Sequence, residues 1–272
     1  MPTWPCWNNA LWRIWPGLKK VEEHREIQYP IGFVGFKVVA YFHVMSSLPH
    51  LVSTDAVAAL RQLCEQHPEQ VVFTTSLGLE DQALTDLISR HDLPVRLVTL
   101  DTGRLFPETY DLIDRTRSKY RNLDLVSYFP DTMSLETFVN EQGMSSIFKS
   151  IESRKACCRI RKIDPLMRAL EGAAVWVTGL RAAQSDNRAS LPRLERDNMT
   201  GLIKFNPIVD WTDAELETYI HSHSVPTNSL HRKGFPSIGC APCTRAVLEG
   251  EHPRAGRWWW EQSSKECGLH KG

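Results

Sequence analysis

From residue 53 onward, short β-rich runs alternate with stretches of helical periodicity, and that alternation leaves few architectures open. Thr54 is placed to cap a helix reaching about Gln66, and residues 71–76 form a first strand. Residues 80–90 read as helix and 95–100 as a second strand, after which Pro107 stands at the first position of another helix, where its missing N–H costs nothing. Residues 123–128 and 174–179 supply a third and a fourth strand. A fifth, 203–209, is expected at a sheet edge because Pro207 interrupts it. Thr212 caps a helix to about His221. Strands separated by helices imply an α/β fold with a mainly parallel, doubly wound sheet.

Ligands of such sheets bind beyond the carboxyl ends of the strands. Three loops occupy those positions, and each carries chemistry suited to an anion. Residues 74–81 (TTSLGLED) run from strand into helix and offer hydroxyls and Gly78 at a helix N-terminus; the plain alternative is a βα turn with Ser76 or Thr75 near a cap. Residues 100–108 (LDTGRLFPE) contribute a turn at Gly103 and a cation at Arg104, or else only a surface turn. Residues 179–188 (GLRAAQSDNR) carry Arg181 and Arg188, and guanidinium suits planar, bidentate contact with phosphate or sulfate. The polar stretch 181–201 is too long for an ordinary connection, which marks it as functional.

The cysteines are the second constraint. Cys157 and Cys158 are adjacent; about eighty residues later come Cys240 and Cys243, spaced Cys-x-x-Cys. Neighbouring side chains on a helix diverge by about 100°, so two adjacent thiolates reach one small tetrahedral ion only with strain. An iron–sulfur cluster offers several irons, and Cys₄ ligation suits a 4Fe–4S centre. Should Cys157 open a helix, Arg161 lies one turn below it and Lys162 one turn below Cys158, where cations would stabilise thiolates. The pairs taken singly also fit a buried pair, a vicinal disulfide, a redox switch or a lone dithiol. Seven cysteines, an odd number, with no export signal point to the reducing cytoplasm and to catalytic or metal-bound thiols. Cys6 and Cys64 fit no motif.

Zero formal net charge lends no support to nucleic-acid or membrane partners, and 272 residues allow one large domain or two small ones. Residues 1–44 differ from the rest. Four of the nine tryptophans fall within the first fifteen residues, and 31–44 is an apolar run containing Lys37, too short for a membrane span. Residues 1–44 therefore read as an extension outside the catalytic fold, 45–250 as the α/β domain, and 251–272 as a catalytic C-terminal tail. That tail holds Arg254 and Arg257, then Trp258, Trp259 and Trp260, then Cys267 between Lys265 and His270. Nearby cations lower a thiol's pKa, so Cys267 suits a nucleophile on a flexible arm; taken alone it could equally be an incidental thiol in a disordered tail.

Taken together, the 74–81 loop, LDTGRLFPET, GLRAAQSDNR, the paired cysteines and the terminal KECGLH resemble the assimilatory adenylyl-sulfate (APS) reductases. These are relatives of the PAPS reductases within the PP-loop adenine-nucleotide hydrolase superfamily. The resemblance covers residue 53 to the C-terminus. It implies one 4Fe–4S cluster per chain held by Cys157, Cys158, Cys240 and Cys243, with Lys162 close to it and to substrate. It implies that Cys267 attacks the sulfur of adenosine 5′-phosphosulfate and that reduced thioredoxin then releases sulfite. Ser76 and Gly78 would line the phosphate, Arg104, Arg181 and Arg188 would contact nucleotide or anion, and Arg254 and Arg257 would grip the phosphosulfate once the tail closes.

One departure matters. ATP-using PP-loop enzymes carry SGGKDS in the first loop, whereas this chain reads SLGLED, without the lysine. That speaks against an ATP pyrophosphatase or a tRNA-directed sulfurtransferase. PAPS reductase remains the rival within the class, and a zinc-stabilised nucleotide-binding module the rival outside it. Whether the chain forms a homo-oligomer is not legible in the sequence.

Overall fold

In a computed structural model the chain divides into Met1–Ser46 and Ser47–Gly272, and the structure describes residues 48–184 and 188–261. The first helix, α1 (Ala56–Gln66), is capped by Asp55, one residue beyond the expected Thr54; its carboxylate accepts the Ala58 N–H at 2.8 Å. Either side chain can cap a helix, so periodicity alone could not rank them. Strand β1 (Val71–Thr75) leads through α2 (Leu79–Arg90) to β2 (Arg96–Leu100), and α3 (Pro107–Lys119) leads on to β3 (Leu125–Tyr128). The chain then runs through α4 (Thr132–Gln142), α5 (Ile151–Cys158) and α6 (Asp164–Ala169) before β4 (Val175–Val177). Strands β5 (Leu194–Arg196) and β6 (Ile203–Phe205) precede α7 (Asp213–Ser222). Helix α7 opens with the capping box of Thr212 and Glu215.

The sheet order is β3-β2-β1-β4-β6-β5. The neighbours from β3 through β6 pair in parallel, and only β5 runs antiparallel, against β6. The edge assignment from sequence is thereby corrected. Strand β6 lies inside the sheet, Pro207 falls after its end, and the edge is β5, formed within the polar stretch 181–201. Three residues with one partly solvated face carry too little periodicity to be read as a strand.

Alternation along β1 shows why the sheet is covered on both sides. Val71 and Phe73 pack with Leu60 and Leu63 of α1 and with Leu84 and Ile88 of α2. Val72, on the opposite face, packs with Leu166 and Ala169 of α6 and with Trp176 of β4. Successive strand residues point to opposite faces, so a strand buried on both must be apolar throughout. Winding runs outward from β1 to β3, then returns to β4 on the other side of β1. The crevice between the loops that follow β1 and β4 is therefore the topological switch point, where such sheets bind ligands.

Helix α5 starts at Ser150, whose hydroxyl accepts the Ser153 N–H at 3.1 Å. The adjacent cysteines therefore close a helix instead of opening one. They are followed by a wider π-helical turn over Arg159–Ile163 that continues into α6. Wide turns of this kind concentrate at functional sites.

Candidate active site

At the switch point, a buried carboxylate shapes the loop after β1. Oδ2 of Asp81 accepts the Ser76 N–H at 2.6 Å and the Ser76 hydroxyl at 2.7 Å. Between them Leu77 is held at φ 63°, a conformation that a branched side chain rarely adopts. Burial, with a contribution from neighbouring Glu80, pushes the Asp81 carboxyl up to about 6, against the two Ser76 bonds and the nearby Arg188. Gly78 is the N-cap of α2. The loop after β4 closes over the same carboxylate: a Cβ on Gly179 would stand 2.1 Å from Asp81 Oδ1 and 3.2 Å from its backbone nitrogen. Gly179→Ala is therefore expected to displace the β1 loop and to cost about 1–3 kcal/mol in chemical denaturation. An unchanged midpoint would mean that Asp81 can turn away freely.

The cations expected here are not alike. Arg181 is buried and engaged: its guanidinium donates to Glu80 at 2.9 Å, Asp213 at 2.7 Å and the Trp211 carbonyl at 2.9 Å, tying α2 to the start of α7. Arg188 lies close enough to Asp81 to lower its pKa and donates to Gln184 of the same loop. Arg104 donates to the Met144 carbonyl and lies near enough to Cys157 to act on its thiol.

The loop after β2 joins the crevice to the cysteines. The Ala241 N–H donates to the Arg104 carbonyl at 2.8 Å, and Thr102 Oγ1 is hydrogen-bonded to Cys240 Sγ at 3.3 Å. From the other side, Arg161 Nη1 donates to the Thr102 carbonyl at 2.5 Å. Cys157, Cys240 and Cys243 share one buried cluster with Phe138, Ile147 and Trp258. None of the five described cysteines forms a disulfide.

Cations stand near these sulfurs, but burial outweighs them at Cys157 and Cys243. Burial raises the Cys157 thiol, and Arg161 and Arg104 oppose it. The Cys243 thiol is pushed up to about 12, by burial first and then by Cys240, Cys158 and Cys157, while Lys162 opposes. Cys243 therefore lies near the other three sulfurs. Among the described residues no group of three or more His, Cys, Asp or Glu side chains is spaced for a single metal ion. Three buried sulfurs and a half-buried fourth, with Arg104, Arg161 and Lys162 nearby, make an all-sulfur donor set of the kind that a Cys₄ centre requires.

The tail is not free where it begins. The Trp258 N–H donates to the Cys243 carbonyl at 3.1 Å, and Arg257 pairs with Thr244 in an antiparallel bridge. A Cβ on Gly239 would lie 2.4 Å from Arg257 Nη2, and one on Gly256 would lie 2.2 Å from the Arg245 carbonyl oxygen, so both close approaches require glycine. The indole of Trp258 has guanidinium carbons on it from Arg154 at 4.6 Å and Arg257 at 5.0 Å. Arg154 donates to both carboxylate oxygens of Glu261, at 2.8 and 2.9 Å. Residues 257–261 are thus packed on the cysteine loop and helix α5. Arg257 is buried in this packing, and Arg254 lies in the same turn, its N–H bonded to His252. Cys267, with Lys265 and His270, lies outside the described residues.

Sequence reasoning passed over Asp81, Thr102, Arg154 and Glu261. The first two stand inside motifs already singled out; the last two lie 107 residues apart and carry no local signal.

With this geometry in view, the comparisons with known proteins are direct. A phosphoadenosine phosphosulfate reductase domain matches residues 70–246, and the chain belongs to that family. Among its relatives is the adenosine 5′-phosphosulfate reductase of Allochromatium vinosum, 49% identical over 79% of this chain and 84% of that one. The enzyme of the same name from Agrobacterium fabrum is 49% identical over 74% of this chain and 77% of its own. A crystal structure of phosphoadenylyl-sulfate reductase from Candida auris, a phosphate complex, superposes with a TM-score of 0.61 at 31% identity. It covers 72% of this chain and 91% of that one.

Proposed function

We propose that the chain reduces adenosine 5′-phosphosulfate to sulfite and AMP, drawing its electrons from reduced thioredoxin in the reducing cytoplasm. What carries this reading is the junction of two sites. The switch-point crevice suited to a nucleotide adjoins four sulfurs through the loop that contains Thr102 and Arg104, in a chain about half identical to named adenosine 5′-phosphosulfate reductases. Among the described residues no helix is long and apolar enough to cross a membrane.

Cys157, Cys158, Cys240 and Cys243 would hold a 4Fe–4S centre, which when bound supplies order and a polarising field and no electrons. The thiolate of Cys267 attacks the sulfonyl sulfur; the S–O bond to the nucleotide breaks, and AMP leaves with the electron pair. A thioredoxin thiolate then attacks Cys267 Sγ and expels sulfite, and the second thioredoxin thiol resolves the mixed disulfide. In the first step charge moves from the thiolate to the leaving phosphate oxygen while the sulfonyl oxygens stay charged, so fixed cations are the expected source of stabilisation. Lys162, which acts on Cys243, and Arg188, which acts on Asp81, are the residues we assign to that role. Arg181 holds the frame through Glu80 and Asp213, and Ser76 serves through the loop that Asp81 shapes.

Protein prepared without oxygen is expected to be brown, with about four irons per chain, as a Cys₄-held 4Fe–4S centre requires. Labelled adenosine 5′-phosphosulfate should mark Cys267, and reduced thioredoxin should discharge the label as sulfite. Colourless zinc protein would remove the cluster from this account, and label on another residue would remove the nucleophile. Faster turnover of the 3′-phosphorylated substrate would make the chain a reductase of that compound instead.

A further inference from the structure

We propose that Met144 is a reversible oxidation site that controls Arg104: as a thioether it holds the guanidinium loosely for an anion entering the crevice, and as a sulfoxide it keeps that guanidinium for itself. The inference rests on the adenylyl-sulfate reading, from which it takes the nucleotide phosphate as the anion, and adds to it a means of regulation.

Arg104 is held unlike Arg181. Arg181 meets two carboxylates, whereas Arg104 meets none among the described residues. Its backbone is fixed on both sides: the carbonyl accepts the Ala241 N–H at 2.8 Å, and its own N–H donates to Thr102 Oγ1 at 3.2 Å. The side chain has a single partner residue. Nη2 donates to the Met144 carbonyl and lies 3.9 Å from the Met144 sulfur, just past the glycine that ends α4. A thioether is a weak acceptor, so the part of this grip that the Met144 side chain supplies is given up at little cost.

The sulfur is also open to reagents, since Met144 is 66% exposed. Met133, Met167 and Met199 are exposed as well, but of these four only Met144 has its sulfur at a cation. Hydrogen peroxide converts a thioether to a sulfoxide: the peroxide O–O bond breaks, one oxygen bonds to the sulfur, which gives up two electrons, and the other leaves as water. The S–O dipole accepts more strongly than a thioether, and a bond to it from guanidinium is charge-assisted. An entering phosphate must then displace that bond before it gains Arg104, which weakens its binding about tenfold. The chemical step is left alone. A chain that consumes reducing thiols would thus slow while oxidant is present, and a methionine sulfoxide reductase would restore it.

The test compares wild-type, Met144→Leu and Met144→Gln holoproteins, the last carrying a permanent strong acceptor in place of the sulfoxide. Each variant keeps the backbone carbonyl, so only the sulfur is exchanged. Peptide mass reads oxygen uptake at Met144, calorimetry reads AMP affinity, and thioredoxin-coupled turnover reads KM and kcat. After peroxide, thiols are reduced again with dithiothreitol, which leaves the sulfoxide in place. Peroxide is expected to add one oxygen to Met144 and to raise both the AMP dissociation constant and the KM for adenosine 5′-phosphosulfate about tenfold, with kcat and iron content within about twofold. A methionine sulfoxide reductase should reverse both rises. Untreated Met144→Gln should already bind AMP about tenfold more weakly, and Met144→Leu should match untreated wild-type before and after peroxide. A Met144 that takes up no oxygen overturns the oxidation site. Equal AMP affinity in the glutamine and leucine variants, or as large a loss in peroxide-treated Met144→Leu, overturns the hold on Arg104. Wild-type protein that binds AMP yet makes no sulfite would strike the adenylyl-sulfate reading, while AMP affinity still judges Met144.

Discussion

Replacing Cys267 by serine is expected to abolish sulfite release from adenosine 5′-phosphosulfate, a loss of roughly 10³-fold or more, with iron content and AMP affinity unchanged. A serine hydroxyl is not ionised near neutrality. Were it to attack, it would yield a sulfate ester, whose S–O bond gives a thiol no route to sulfite. The buried cysteines are not placed to take over. Cys64 is in the core beneath β1, where burial pushes its thiol up to about 11. Cys157, Cys240 and Cys243 are buried behind Trp258. A chain ending before Lys265 should behave like the serine variant. Sulfite made at the full rate by either protein would show that the nucleophile lies elsewhere.

Much of the scaffold was legible because each layer of this sheet writes itself into the sequence. Val71 to Phe73 is apolar on both faces since helices cover both, and Pro107 and Thr212 mark the starts of two helices. Strand β5 escaped because three residues hold no period, and its presence moved the sheet edge. The spacing of the two cysteine pairs suggested that they meet, and the fold brings them near each other, but the start of helix α5 could not be read, because the helix is nucleated at Ser150, seven residues before the first cysteine of the pair. The arginines show the limit most clearly. Composition identifies Arg181, Arg188, Arg104 and Arg257 as cations, yet only the fold assigns their counterparts. Arg181 meets two carboxylates and Arg257 a tryptophan face, while Arg188 approaches the carboxylate beneath the loop. Charges that look equivalent along the chain become supports or ligands according to pairings that cross a hundred residues.

Removing one sulfur of the quartet should be the most disruptive single change to stability. Cys243 sits on a short turn whose tertiary support is a few apolar neighbours, the Trp258 N–H on its carbonyl and the Ala241 contact to the β2 loop. A centre held by four thiolates contributes its binding free energy to folding, because the unfolded chain does not bring the ligands together. Cys243→Ser is therefore expected to lower iron from about four per chain to under one and to cost on the order of 5 kcal/mol in anaerobic chemical denaturation. Cys64→Ala is the matched control: equally buried, outside the quartet, and expected to cost about 1 kcal/mol with the colour retained. A Cys243→Ser protein that kept its iron and its midpoint would mean that Cys243 is not a ligand. Equal losses from both variants would mean that burial of the thiol, and no metal, is what the fold requires. The two proteins separate these cases because burial at the two positions is alike, and only Cys243 has three other sulfurs beside it.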